Sequence, residues 1–124
     1  MRFARIVFRA AGLWGLLILT PMFFLIDRIG IDAPPPITHP EFYYGFLCVA
    51  LAWQFAFLVI GSDPARYRPL MPVAMFEKFS FAIAAFVLSA QGDLSGGGVL
   101  FGAAADLVLG VLFIAAFIRT RASG

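Results

Sequence analysis

The chain has 124 residues, 62% of them hydrophobic and only 13% charged, with a mean hydropathy of +0.95. Soluble domains run nearer half apolar and a quarter charged, so this composition argues against a water-exposed fold and for an all-α polytopic membrane protein. The net charge of +2 is no nucleic-acid signature, because the basic residues sit beside apolar runs rather than in one patch. A single cysteine, Cys48, excludes an internal disulfide, a Cys-x-x-Cys redox centre and a thiolate-rich metal site, and a single histidine, His39, excludes a bis-histidine haem within one subunit. No cofactor, no metal and no nucleic acid is expected; membrane lipids are the expected partners.

A bilayer core about 30 Å thick takes roughly 20 apolar residues per helix, so the length accommodates four spans in one integral membrane domain covering 1–124. Spans are expected at about 6–26, 42–60, 72–90 and 98–118. The first follows Arg2, Arg5 and Arg9. Its uncharged run from Ala10 to Ile26 is longer than a signal-peptide core, and no Ala-x-Ala site follows before Asp27. Arg9 is expected to snorkel toward the headgroups. Residues 27–41 carry four prolines, and Pro34-Pro35-Pro36 predicts a stiff polyproline stretch. Phe42, Tyr43 and Tyr44 then open the second span as an aromatic belt, the tyrosine hydroxyls reaching water. Gly61-Ser62-Asp63-Pro64 ends it.

The central polar stretch, Ser62 to Ser80, holds Asp63, Arg66, Tyr67 and Arg68 and then Glu77 and Lys78. It reads as a cytoplasmic hinge between two helical hairpins, with the third span starting near Pro72. Gln91 to Gly97 predicts a short outer turn that includes Ser95. The fourth span carries one charge, Asp106, and Arg119 and Arg121 close it. Eight of the nine lysines and arginines fall in the two termini and the central loop, with only Arg28 in the alternate loops. By the positive-inside rule both termini are expected in the cytoplasm, in a cell inner membrane.

Four residues form the candidate intramembrane polar site: Asp106, Lys78, Glu77 and Gln54. An aspartate near a helix centre costs roughly 2.5–3.5 kcal/mol on the insertion scale, so Asp106 should face protein and take a donor from another helix, Lys78 or Gln54. Gly98, Gly102, Asp106 and Gly110 share a face by their spacing of four, which predicts a close backbone approach there. Lys78, Ala82, Ala85 and Ser89 share a small-residue face, turning Lys78 toward the bundle. Glu77, about 100° away, either meets Arg9, Arg66 or Arg68 near the inner surface or, with Lys78, simply marks the interfacial first turn, where the helix dipole favours an acid; the two readings stand level. A structural carboxylate outweighs a proton-sensitive or ligand-contacting one for Asp106, as core glue does for Gln54. Cys48 reads as a small packing residue on the Gly45, Cys48, Ala52 and Ala56 face, and His39 as a solvated loop residue. The sequence suggests no catalytic set of serine, histidine and acid.

At Asp63-Pro-Ala-Arg-Tyr-Arg-Pro69, the Glu77-Lys78 pair and Asp106-Leu-Val-Leu-Gly-Val-Leu-Phe113, the sequence resembles small bacterial four-helix membrane proteins grouped loosely with DoxX-like proteins. The resemblance covers the second to fourth spans. It implies the fold and carries no chemistry. Two functions stay open. One is an accessory or structural bundle that binds lipid or a partner, either a second copy or another membrane protein. The other is a small transporter or membrane-embedded lipid-binding enzyme using Asp106 with Lys78 and Glu77 in a cavity. The small multidrug-resistance transporters need a glutamate in the first helix, and no acid lies between Ala10 and Ile26 here. The accessory reading is preferred, because nothing in the sequence requires catalysis.

Overall fold

The computed structural model describes residues 2–94 and 97–121. Those residues fold as α1 (Arg2–Met22), α2 (Ile26–Asp32), α3 (Pro40–Ser62), α4 (Met71–Ala90, entered through a 3-10 turn at Arg68–Leu70) and α5 (Gly98–Arg119). The segments Arg2–Met22, Pro40–Ser62, Arg68–Ala90 and Gly98–Arg119 are each long and apolar enough to cross a membrane. Large side chains such as Leu17, Phe24, Phe76 and Phe101 stand exposed, as suits a surface bathed in hydrocarbon rather than water. The architecture is that of a multi-pass, four-helix membrane protein.

Helix α1 packs along α3, and α4 along α5. The two hairpins meet chiefly through α1 and α5, while α3 and α4 touch little. One apolar core joins α1, α3, α4 and α5 near the end where the chain passes from α3 to α4. Its centre is three buried rings from three helices. Phe8 and Phe113 stack with centroids 4.3 Å apart, and Phe57 meets Phe113 edge-on at 5.1 Å. Around the rings Ala4, Ala11, Ala74 and Ala116 keep the helices close. Toward the other end the packing is thinner: Ala82, Ala85 and Ala103 hold α4 to α5.

The α1–α3 seam is set by glycine. A Cβ on Gly12 would lie 2.8 Å from the Gln54 carbonyl oxygen and 2.8 Å from the Leu58 side chain. A Cβ on Gly61 would meet Arg9 Cγ at 2.9 Å. Both positions therefore exclude any side chain at the present helix separation.

Several segments differ from their sequence expectations. Helix α1 ends at Met22, not Ile26, and Thr20, Pro21 and Met22 carbonyls take one-turn bonds from Phe23, Phe24 and Leu25. Pro21 contributes no amide to the last turn, which favours this early stop. The apolar residues beyond belong to a turn and to α2, a short helix in the connection to α3 with an Arg28–Asp32 pair at 3.1 Å. Residues 33–35 bend, so the straight polyproline stretch is not formed. The Tyr43 hydroxyl donates to the Met22 carbonyl at 2.6 Å, tying α3 to the end of α1. Cys48 is exposed on the outward face of α3 rather than packed. Ser95, in the expected outer turn, lies outside the described residues.

The α3–α4 connection is not a loose hinge. Pro64 and Ala65 are buried, Asp63 Oδ1 accepts the Arg66 amide, and Arg66 lies over the Tyr67 ring. Arg68 donates to the carbonyls of Thr120 and Phe117 and stacks 3.7 Å above the Phe117 ring. It thereby satisfies carbonyls that α5 leaves open at its C-terminus, where a cation is favoured. Arg68→Met should cost about 1–2 kcal/mol of stability and speed amide exchange around Thr120. Unchanged exchange there would show that the cap is dispensable.

Candidate functional site

Lys78 is the chain's sole lysine, and it is only 4% exposed. It lies seven residues inside α4, about 10 Å from the helix start, whereas Asp106 lies thirteen residues before the end of α5, about 20 Å away. The long lysine stem covers the difference. Its Nζ donates to Asp106 Oδ1 at 3.2 Å and sits 3.6 Å from Glu77 Oε2. The Phe57 ring of α3 closes a further side, with its centroid 5.0 Å from Nζ. One ammonium thus serves two carboxylates and an aromatic face, and it links α4 to α5 and to the aromatic core.

Of the two donors the sequence offers for Asp106, Lys78 is the one that bonds it, and Glu77 takes a partner that the sequence did not name. Glu77 turns to its neighbour Lys78, not to Arg9, Arg66 or Arg68. The adjacent residues start on different faces, and the flexible glutamate folds back to the ammonium. Gln54 does not bind Asp106. It is buried against Gly15 of α1, where its Nε2 donates to the Ala50 carbonyl at 2.8 Å and its Oε1 has no partner. Its hydrogen bond stays within α3, so it packs in the α1–α3 seam without the cross-helix bond expected of it, and it makes no bond to the charged cluster among the described residues.

The glycine face of α5 also differs from expectation. Only Gly110 is closely approached, and by the Phe79 ring rather than by a backbone. Nothing lies within 4 Å of a Cβ built on Gly98, and Gly102 meets only Phe81 at 3.9 Å. Asp63, Arg66, Tyr67 and Arg68 form the folded connection described above and do not join the cluster. Phe57 was not signalled as a partner of the lysine, since one phenylalanine among fifteen has no distinguishing neighbour in sequence.

Chemically, the cluster neutralises a buried lysine and holds two helices together. Among the described residues no three or more of His, Cys, Asp and Glu gather in a metal-binding group. A cavity of about 300 Å³ lies elsewhere, between α2 and the start of α3, and is lined by Ile26, Asp27, Gly30, Pro36 and Tyr44. Comparison with protein-family models, curated proteins and solved structures returns no match.

Proposed function

We propose that this chain is an accessory bundle of the bacterial inner membrane, loosely DoxX-like, with both termini in the cytoplasm. Its outward helix faces hold lipid, a second copy or another membrane protein, and it performs no catalysis. The observation that carries this reading is the internal pairing of Lys78: its charge is spent on Asp106 and Glu77, away from the 300 Å³ cavity. A group held this way contributes to architecture, while broad apolar faces remain for partners. Orientation follows the charge bias, with Arg2, Arg5, Arg9, Arg66, Arg68, Arg119 and Arg121 at one end of the bundle.

The second reading is a transporter or lipid-binding enzyme built on Asp106, Lys78 and Glu77. One observation favours it: Glu77 Oε2 is buried without a hydrogen bond, so the cluster has spare acceptor capacity. Purification in gentle detergent, with identification of bound lipids and proteins, separates the two. The accessory reading expects a stoichiometric lipid or protein companion that persists in Asp106→Asn. Solute-dependent proton flux in proteoliposomes, abolished by Asp106→Asn, would overturn it.

The orientation has its own test. Single-cysteine variants Pro35→Cys and Asp93→Cys, in a Cys48→Ser background, should react with an impermeant maleimide added to intact cells, and Tyr67→Cys should not. Outside labelling of Tyr67→Cys would reverse the assigned topology.

A further inference from the structure

The basic end of the α1–α3 seam carries two guanidinium groups that no described carboxylate neutralises. Arg5 and Arg9 lie one helical turn apart on α1, about 6 Å along its axis. Both are held against the end of α3. Arg5 Nη1 donates to the Ser62 carbonyl at 2.9 Å, using one of its five N–H groups. The Arg9 stem crosses Gly61, where the missing Cβ lets Arg9 Cγ and the α1 backbone come close. Among the described residues the Arg9 guanidinium makes no hydrogen bond and neither arginine joins an ion pair. Asp63, the nearest carboxylate in sequence to Ser62, is engaged by the Arg66 amide.

The surface beyond these two charges is apolar. Leu13 and Leu17 continue the Arg9 stripe of α1 toward the membrane interior, and Phe55 and Val59 do the same from Ser62 on α3; all four are exposed. A ligand fitting this surface has a phosphate at the helix ends and hydrocarbon running up the seam. We propose that Arg5 and Arg9 form a binding site for the phosphate of an anionic glycerophospholipid, its acyl chains lying over these apolar residues. The uncompensated double positive charge selects an anionic headgroup over a zwitterionic one, whose own ammonium would be repelled. Basic pockets between membrane helices are known to take such headgroups. The inference rests on the lipid-holding part of the proposed function and names the lipid class and the site. It requires only that the chain span a membrane and is independent of which side the termini face.

The test is native mass spectrometry of the detergent-solubilised full chain, titrated with phosphatidylglycerol or phosphatidylethanolamine. The wild type should retain phosphatidylglycerol preferentially. With about 1 kcal/mol per arginine near a headgroup, Arg9→Gln should weaken it about fivefold and Arg5→Gln/Arg9→Gln about 30-fold. Arg121→Gln removes the same charge from the same end outside the seam and should leave binding unchanged. Arg5 also caps α3, so Arg9→Gln, which breaks no hydrogen bond, carries the test if the double variant unfolds. Equal weakening by Arg9→Gln and Arg121→Gln would show diffuse attraction and overturn the site. No preference for phosphatidylglycerol in the wild type would overturn the lipid class. In either case a protein companion or another lipid that still copurified would leave the accessory function standing, whereas its absence as well would remove both.

Discussion

Asp106→Leu should destabilise the bundle by about 2–4 kcal/mol, whereas Asp106→Asn should cost about half as much or less. Leucine leaves the buried Lys78 ammonium without its 3.2 Å partner; asparagine keeps an acceptor oxygen at that place. The loss with leucine stays below that of a fully isolated pair because Glu77, 3.6 Å from the same nitrogen, still compensates part of the charge. Asp106→Leu/Glu77→Gln should therefore be worse than either single change. Lys78→Met leaves two carboxylates facing each other and should also be strongly destabilising. Adding Asp106→Leu to Lys78→Met removes one of the unpaired charges, so the double variant should be more stable than the sum of the single losses. Unfolding in mixed detergent micelles gives the comparison. Additive losses would show that the two side chains do not interact.

Gly12→Ala should cost about 1–3 kcal/mol, although alanine is the better helix former by about 1 kcal/mol. The added methyl meets the Gln54 carbonyl oxygen, a backbone atom that moves only if α3 moves. Leu58→Ala should restore part of the loss, because two of the three nearest atoms belong to the Leu58 side chain. Gly12→Leu should separate the α1–α3 hairpin, read as loss of the Tyr43-to-Met22 tie and a wider distance between spin labels at Leu13 and Val59. A Gly12→Leu protein with unchanged stability and label distance would contradict the close seam. By contrast, Gly98→Ala should be neutral or slightly favourable, since nothing stands within 4 Å of its Cβ position.

The spans were legible because hydropathy reports the length a bilayer demands, and the charged interruptions fall between them. The end of α1 was not legible in the same way. Phe23 to Ile26 are as apolar as the helix before them, and hydropathy does not register that the backbone turns after Met22. The spacing of Arg28 and Asp32 was the available sign of α2, a pair four residues apart that suits one helical turn.

The Lys78–Asp106 tie followed from a strong constraint: two charges on apolar helices must find protein, and few partners exist. Depth alone leaves Gln54 as eligible as Lys78 for Asp106, because the direction of Gln54 depends on how α3 is rotated against α1. Gly12 and Gly15, three residues apart, marked the α1 face that receives it. The α5 glycines show the complementary ambiguity. A missing side chain leaves room, but sequence does not say whether a backbone, a ring such as Phe79 or lipid fills it.

The buried Lys78 tie can be measured directly because the chain contains no other lysine. With lysine labelled at 15Nζ and carboxylates at 13C in lipid bilayers, magic-angle-spinning dipolar recoupling should show a short nitrogen–carbon distance to an aspartate. That dephasing should vanish from the aspartate region in Asp106→Asn, and the glutamate signal should lose its weaker coupling in Glu77→Gln. An ammonium resonance that exchanges freely with water and shows no coupling to any aspartate carboxylate would contradict the account.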